Sequence, residues 1–461
     1  MQDFARRMLL PGTLILLVAC WLGGGVTADD TAIDEWLQLL ALPVLLLAVA
    51  ALLEHDLSWL VRWGIAAAGL VLLVPVLQLL PVDGGASAPA RQLLRADLAS
   101  AGVAMAPHWS LAPSATERGL WALLPAMAAF LAAVALPAAQ RRRLLQAVVA
   151  VLVANVLFAF FQAGLPRDSA LRLYQDFDAG FGGLLANTNH QATACIIGMV
   201  LAVGLAAEAR LRARRGQTHP HRHWWYLGLA GFFLLMVPLS TSRAGMAIAL
   251  PALALALWST GMLRLREIGR SRRSALLAAG VAVLAVVGVR AAMGWMAVDQ
   301  AEELRHLMAA ATLKAGQAQA PLGAGIGAFV PVFAQAAPPQ LQLASYVNHA
   351  HNEYAQWWLA TGWAGMAVLA LVLGLLAVCA WRLVRSEGRG AALAAGCFAA
   401  ICAVLAHSWA DYPLRTLALM ATSGALAGLM LASLADARPR SSRREGAAAM
   451  QGSDGTRERA G

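Results

Sequence analysis

Charged residues are scarce in this chain of 461 residues: they make up 13% of it, while hydrophobic residues make up 60%. Soluble domains carry roughly 25% charged residues. So few charges cannot cover a water-soluble surface of this size, which excludes a soluble enzyme held by a single anchor. The apolar residues instead fall into runs of about twenty, the length that crosses a bilayer core as a helix.

Lysine and cysteine are also rare. Lys314 is the only lysine, so the net charge of +10 comes from arginine. The arginines lie in short clusters between apolar runs, which is typical of topology signals and not of nucleic-acid binding. The five cysteines lie inside apolar runs and lack CxxC or metal-ligand spacing, so neither disulfides nor structural zinc is expected.

The apolar runs predict an all-α polytopic integral membrane protein with about twelve transmembrane helices. The segment 17–20 follows Arg6 and Arg7 and resembles a lipoprotein cleavage box, but Trp21 directly after the cysteine favours an uncleaved first helix. The runs lie near 8–27, 37–54, 63–82, 119–138, 144–164, 189–207, 223–239, 244–262, 275–297, 355–380, 391–410 and 416–434.

The distribution of basic residues predicts the orientation. An even number of spans puts both termini on one side, and the segments on that side hold roughly three times as many basic residues as the opposite side. The N and C termini are therefore predicted to be cytoplasmic. We expect one transmembrane domain over 1–434, with a large periplasmic loop, 298–354, between helices 9 and 10, and a disordered cytoplasmic tail over 435–461.

Two histidines stand at the end of that loop. The sequence Asn348-His349-Ala350-His351-Asn352-Glu353 runs directly into a predicted span. Imidazole is well matched to proton transfer near neutral pH, so a catalytic role is one interpretation. The alternative is that these residues only cap the helix and face water.

The spacing after the histidines resembles a family signature. His351-Asn352, a gap of nine residues and Gly362-Trp363-Ala364-Gly365 resemble the pattern of the bacterial O-antigen ligases. Gly182-Gly183 and Asn187-Thr188-Asn189-His190 before a span, with Thr241-Ser242-Arg243-Ala244-Gly245 at a span junction, are similar to the same family. The resemblance covers about residues 180–415 and extends to O-antigen polymerases and O-linked oligosaccharyltransferases.

This resemblance implies transfer of a glycan from an undecaprenyl-diphosphate carrier to an acceptor hydroxyl, at the periplasmic face of the bacterial inner membrane. It implies an inverting, metal-independent enzyme without a cofactor. His351 would be the general base or would orient the acceptor, with His349 and Asn352 contacting substrate. Asn187, Asn189 and His190 would contact sugar or diphosphate, or would instead cap the sixth span.

Three arginines are candidates to bind the diphosphate, because a guanidinium binds phosphate oxygens bidentately and stays charged at a membrane edge. Arg243 lies between two apolar runs, where an unneeded charge is costly. Arg305 opens the large loop, and its alternative role is an ion pair with a neighbouring glutamate, Glu302 or Glu303. Arg415 ranks third, because it could instead pair with Asp411 in a tight turn.

Other patterns carry weaker predictions. Asp176-Phe177-Asp178 has a spacing that can hold a divalent metal, but the resemblance is to metal-independent enzymes, so no metal is expected. Gly323, Gly325 and Gly327 resemble a phosphate cradle, yet no strand precedes them. The histidines between 219 and 223 are interpreted as a solvated turn.

Within the class, the signature favours a ligase that moves O-antigen onto lipid A-core. A polymerase that extends the glycan on its carrier is second, and a protein O-oligosaccharyltransferase is third. A small-solute transporter is the alternative from another class. Transporters show paired repeats and ionisable residues at mid-membrane, whereas here Arg290 is the main mid-span charge and the polar residues gather at the outer edge.

Overall fold

A computed structural model describes residues 2–27, 32–53, 56–81, 89–103, 108–174, 181–263, 300–341 and 347–439. The predictions for the ninth span, for Arg290, for the Asp176 and Asp178 pair and for the tail beyond 439 lie outside these residues. The described part is almost entirely helical. Its only strands, Ser386–Glu387 and Arg438–Pro439, form one antiparallel pair.

The described residues form fifteen α-helices. In chain order these are α1 (Gln2–Gly23), α2 (Ala32–Leu52), α3 (Trp59–Gln78), α4 (Pro89–Ser100), α5 (Pro113–Ala122), α6 (Leu124–Ala135), α7 (Ala138–Ala163), α8 (Thr188–Ala213), α9 (Arg222–Met236), α10 (Arg243–Ser259), α11 (Gln300–Ala318), α12 (Phe329–Ala336), α13 (Glu353–Arg385), α14 (Arg389–His407) and α15 (Leu417–Ala435).

Ten segments of the described chain are long and apolar enough to cross a membrane. Helices α5 and α6 together make one of them, Pro113–Ala135, and α9 continues through a short 3-10 turn to make Arg222–Ser240. Helix α10 is apolar but shorter, with 17 residues. Each predicted run apart from the ninth therefore coincides with an observed helix, which confirms the all-α polytopic fold.

Helix α8 is the central helix of the bundle, and its whole hydrophobic stretch is buried inside the protein. Small residues allow this, because they let neighbouring helix backbones approach closely in a membrane. A Cβ atom on Gly204 would lie 3.0 Å from Cα of Gly396 in α14, so the two backbones nearly touch there. Helix α8 is thus closely packed against its neighbours.

Helix α13 is kinked at Gly362, whose φ of 56° and ψ of −148° are not helical. The kink frees carbonyl groups of the preceding turn, and the glycine-rich segment binds them: Ala324 N donates to Leu359 O at 2.7 Å, and Gly325 N donates to Ala360 O at 2.9 Å. Beyond the kink, Trp363 N donates to a carbonyl of the same segment. These amide groups therefore donate to carbonyl groups of α13. This arrangement differs from the phosphate cradle that the glycine-rich sequence resembles.

The kink explains the spacing of the family signature. Asn352 caps the start of α13, since its side chain accepts a hydrogen bond from Ala355 N at 3.0 Å. The nine residues that follow form a straight helical segment that ends at Gly362. Gly365 is needed one turn later, because a Cβ atom there would overlap the side chain of Thr361. The signature thus fixes the length of one short helix segment below the histidines.

Candidate active site

Four chain segments meet at the end of the bundle where α8, α13 and α15 begin. They are the residues after α1, the first turn of α8, the loop 347–352 and the turn 408–416 between α14 and α15. Backbone hydrogen bonds join them: Glu353 N donates to Ser408 O at 2.8 Å, and Ala418 N donates to Gly24 O at 3.0 Å. Residues distant in sequence are thereby brought to one place.

Asp411 lies at the centre of this meeting point and is fully buried. Its Oδ2 atom accepts hydrogen bonds from the side-chain amides of Asn187, at 3.2 Å, and Asn189. Its Oδ1 atom accepts from the backbone N–H of Tyr412 at 2.9 Å and lies 3.3 Å from Nδ1 of His351. A buried carboxylate needs such partners, because an unpaired charge is very costly away from water.

The surroundings of Asp411 favour its charged form. Burial raises the pKa of the carboxyl group, but the adjacent His351 ring, together with His190 and Arg305, lowers it by more, so the pKa lies well below its usual range. Asp411 therefore remains ionised at neutral pH.

His351 is held in an unusual backbone conformation. Its φ of 50° lies in the left-handed region, which is uncommon for a residue other than glycine and is often found where function requires it. This conformation turns the ring toward Asp411 while 19% of the side chain stays exposed. A partly exposed imidazole backed by a buried carboxylate can exchange a proton with a reactant.

Tyr412 forms an aromatic centre for three histidines. Its ring centroid lies 4.4 Å from that of His349, 4.9 Å from that of His351 and 5.1 Å from that of His190. Burial and the charge of Asp411 raise the pKa of the Tyr412 phenol to about 12. The phenol therefore keeps its proton, and the ring serves to position the imidazoles.

His349 is fixed by Gln356. The Oε1 atom of Gln356 accepts from Ala350 N at 3.1 Å, so its amide nitrogen is the atom that faces Nδ1 of His349, at 3.1 Å. Nδ1 then accepts a hydrogen bond, and the proton of the neutral ring stays on Nε2. Burial and the positive charge of Arg415 lower the pKa of His349 to about 3. His349 is thus a hydrogen-bond donor and a poor base.

Two buried histidines complete the cluster. Nδ1 of His407 lies 2.7 Å from the hydroxyl oxygen of Thr193, which in turn donates to Asn189 O at 3.1 Å. His190 is 1% exposed and packs edge-on against Tyr412. His407 was not predicted as a site residue, and neither were Asp411 and Tyr412. All three lie in the segment 407–415, where Arg415 was the only predicted site residue, and their distance in sequence from the other histidines hid their role.

Arg415 pairs with Glu353, which corrects the alternative of a pair with Asp411. Nε of Arg415 lies 3.1 Å from Oε2 of Glu353, and Oε1 of the same carboxylate accepts from Leu414 N at 3.1 Å. The turn between α14 and α15 aims Arg415 at the start of α13, while the Asp411 carboxylate faces α8 and His351. Arg415 still lies close enough to His349 to lower the pKa of that ring.

Arg305 is brought toward the same cluster. It lies on α11, and its charge acts on Asp411, His190 and His407. The side chains of its alternative partners, Glu302 and Glu303, lie outside the described part of the chain.

Arg243 is the first residue of α10, in a segment that packs this helix against α8. Thr241 has a left-handed φ of 57°, and Ser242 caps the helix by accepting from Gly245 N at 3.0 Å. A Cβ atom on Gly245 would overlap Ala192, which lies in the first turns of α8. Arg243 therefore stands at the level of His190, at the same end of the bundle as the histidines.

The three predicted asparagines have structural partners. Asn187 caps α8 through Asn189 N, at 2.8 Å, while its amide group donates to Asp411. Asn352 caps α13 and donates to Trp409 O at 2.9 Å. The predicted alternative of a helix cap is correct for Asn187, which also supports the buried carboxylate.

A cavity of about 650 Å³ opens beside the site. Asn348, His349, Glu353 and Arg415 line its end near the histidines. From there it continues between α3, α6, α13 and α15 among apolar side chains. Among the described residues no group of three or more His, Cys, Asp or Glu side chains is arranged to hold a metal ion.

The fold and the site define a class: a polytopic membrane protein with a histidine–carboxylate site at the ends of its helices. Residues 228–370 match the family model described as O-antigen ligase. This segment contains Arg243, Arg305, both loop histidines and the kink at Gly362, so the similarity to the O-antigen ligase family covers residues of the site. The match supports glycosyl transfer of the ligase or polymerase type. No curated protein matches the chain.

Proposed function

We propose that this protein transfers a glycan from undecaprenyl diphosphate to an acceptor hydroxyl at the periplasmic face of the bacterial inner membrane. The observation that carries the proposal is the contact of 3.3 Å between His351 Nδ1 and Asp411 Oδ1, in the same cluster as His349, which lines an apolar cavity. The family match supports the same reaction class. The favoured transfer is that of O-antigen onto lipid A-core.

His351 acts as the general base in this proposal. The charge of Asp411, 3.3 Å from Nδ1, favours the tautomer with its proton on Nδ1, which leaves the lone pair on Nε2 to accept the proton of the acceptor hydroxyl. The acceptor oxygen attacks the anomeric carbon, and the bond from that carbon to the diphosphate oxygen breaks with its electron pair. The displacement inverts the anomeric centre. Asp411 is a positioning residue, and Asn187 and Asn189 support it rather than contacting sugar.

The leaving diphosphate requires cations and hydrogen-bond donors. Arg243, Arg305 and Arg415 supply positive charge at this end of the bundle. Arg415 uses Nε for Glu353, so its two terminal nitrogens remain to form a fork on phosphate oxygens. His349 lines the cavity, and the proton on its buried Nε2 is the one it would donate to the same group. This set neutralises the leaving charge without a metal ion or cofactor.

The polymerase is the second candidate function, because the matched family model and the site geometry serve either acceptor equally. Protein O-glycosylation is third. The preference for the ligase depends on the signature His351-Asn352 with Gly362 and Gly365, and the structure gives that signature a mechanical role that all these enzymes can share.

Reconstitution of the full chain in liposomes tests the proposal. The liposomes contain an undecaprenyl-diphosphate glycan together with lipid A-core, a second lipid-linked glycan or a serine-rich peptide. We expect glycan on lipid A-core, at the same rate with and without EDTA. Elongated lipid-linked glycan would assign the polymerase, and transfer to none of the three acceptors would overturn the proposal. Activity that is lost in EDTA and restored by Mg²⁺ would assign a metal to the reaction.

A further inference from the structure

The cavity beside the histidines extends deep into the helical bundle. Leu417 lines it at the start of α15, and Leu431 lines it four turns later. At 1.5 Å per residue the two are about 21 Å apart along the helix axis. This is roughly two thirds of the thickness of a bilayer hydrocarbon core.

The character of the wall changes with depth. Near the histidines the wall carries both signs of charge, from Arg118, Arg415, Asp34, Glu35 and Glu353. Deeper residues are apolar, including Ala68, Phe130, Leu376 and Ala427. A ligand that matches this wall has a polar head and a hydrocarbon tail.

The volume limits how many hydrocarbon chains can enter. Pockets of about 300–1,000 Å³ bury one drug-sized molecule, and the cavity measures about 650 Å³. It can therefore take the first part of one chain, whereas the several acyl chains of a lipid such as lipid A exceed its volume. The donor of the proposed reaction has a single polyprenyl chain.

We propose that this cavity binds the polyprenyl tail of the donor lipid and that Ala68 and Ala427 set how much of the tail it admits. The inference rests on the proposed function. It adds the location of the tail, a single-chain selectivity and two specificity-determining positions. The diphosphate then lies at the mouth, beside His349 and Arg415, where the anomeric carbon can meet His351.

Ala68 and Ala427 lie at matching depths on facing helices. Ala68 is ten residues from the end of α3 at Gln78, and Ala427 is ten residues from the start of α15 at Leu417. Each is thus about 15 Å from the end of its helix near the site. Both line the cavity with small side chains, so a larger side chain at either position would shorten the space available to a tail.

Lipid binding to the full-length protein tests the inference. The protein is placed in nanodiscs of phosphatidylethanolamine and phosphatidylglycerol, so that ordinary phospholipid is present in excess. The probes are undecaprenyl diphosphate and geranyl diphosphate, whose short tail stays in the outer half of the cavity. The variants are Ala68→Phe and Ala427→Phe. Ala66→Phe is the matched control, because Ala66 lies on the same helix with its side chain exposed.

We expect both cavity variants to weaken undecaprenyl diphosphate binding by about 10-fold or more, with geranyl diphosphate binding and the control unchanged. Arg415→Ala should weaken both lipids equally, because it acts on the head group. Undecaprenyl diphosphate affinity that stays at the wild-type level in both cavity variants would overturn the inference. So would an equal loss for both probes, or failure of the wild type to bind against the phospholipid background.

The outcome is separable from that of the transfer assay. The expected binding pattern without glycan transfer to any acceptor would keep the lipid cavity and remove the proposed function. Transfer with normal use of undecaprenyl donors by both cavity variants would keep the function and remove the cavity as the tail site.

Discussion

Nδ1 of His351 lies 3.3 Å from Oδ1 of Asp411, a contact that joins the loop before α13 to the turn after α14. The carboxylate is buried and also accepts from Asn187, Asn189 and a backbone amide, so it cannot follow the histidine if the loop moves. The imidazole is partly exposed. The pair thus consists of a fixed anchor and a reactive group that the anchor orients.

Asp411→Asn should reduce glycan transfer by about 10²- to 10⁴-fold, the usual contribution of a positioned acid–base group. The amide retains the volume of the carboxylate but removes the charge that holds His351. Initial rates in liposomes measure the effect, with size-exclusion profiles to report folding. Asp436→Asn is the control, since Asp436 is an exposed partner of Arg141 at the opposite end of the bundle. A well-folded Asp411→Asn protein with wild-type rates would show that the pair has no catalytic role.

Gly362→Ala should destabilise the protein by at least about 3 kcal/mol, because the residue has a left-handed φ and a Cβ atom would overlap the Pro321 carbonyl. Gly374→Ala is the matched control in the same helix, where nothing lies within 4 Å of a new Cβ atom. That change should be neutral or slightly stabilising. Thermal unfolding of the two variants in one detergent gives the comparison. Equal midpoints would mean that the kink does not require glycine.

The transmembrane helices could be predicted because each span is a local property: about twenty apolar residues are required wherever a chain crosses a bilayer. The residues of the signature could also be recognised, but their mechanical reason could not. The kink at Gly362 frees the Leu359 carbonyl, which accepts a hydrogen bond from Ala324 N, and Asn352 caps the start of α13. Both partners become visible only when the chain is folded.

Only part of the site could be predicted, because the sequence does not specify which charged side chains meet in the fold. Arg415 has Asp411 four residues before it, which made that pair attractive, but the turn directs the arginine to Glu353. Asp411 consequently became available to His351, and its importance was missed. Tyr412 was missed because an aromatic residue beside a span is ordinarily a packing or interface residue.

His349→Gln should reduce the acid sensitivity of folding. The pKa of His349 is lowered from 6.5 to about 3 in the fold. Below pH 6.5 this imidazole therefore binds a proton in the unfolded chain but stays neutral in the folded protein. The stability contributed by the neutral ring is therefore present above pH 6.5 and is lost as the pH falls toward 3. Glutamine has no such titration. Thermal midpoints at about pH 7 and about pH 4.5 should differ less in the variant than in the wild type.

The control for this experiment is His221→Gln, because His221 is exposed in a loop far from the site. It should leave the pH-dependent difference in midpoint as in the wild type. An identical pH dependence in His349→Gln and the wild type would contradict the burial of a neutral imidazole at this position.

Arg243→Lys should impair transfer although it preserves the charge. Lysine is a point charge and cannot reproduce the bidentate fork of a guanidinium on a diphosphate. Arg62→Lys is the control, because Arg62 is exposed at the other end of α3. Transfer rates at saturating acceptor measure both. Full activity of Arg243→Lys at normal expression would make Arg243 a topological or packing residue that only marks the start of α10.

His351→Ala should abolish transfer while folding and membrane insertion remain intact, because the ring is partly exposed and contributes proton transfer more than packing. Loss of a general base costs about 10²- to 10⁴-fold in rate, which is enough to remove visible product from a cell-based assay. His349→Ala should be milder, since it removes one hydrogen-bond donor to the diphosphate and leaves the base in place.

The products of the His351→Ala protein separate the two leading functions. A lost ligase leaves lipid A-core without O-antigen while long lipid-linked glycan accumulates, whereas a lost polymerase leaves core bearing at most a single repeat. Wild-type product from a well-expressed His351→Ala protein would remove the central residue of the proposed mechanism.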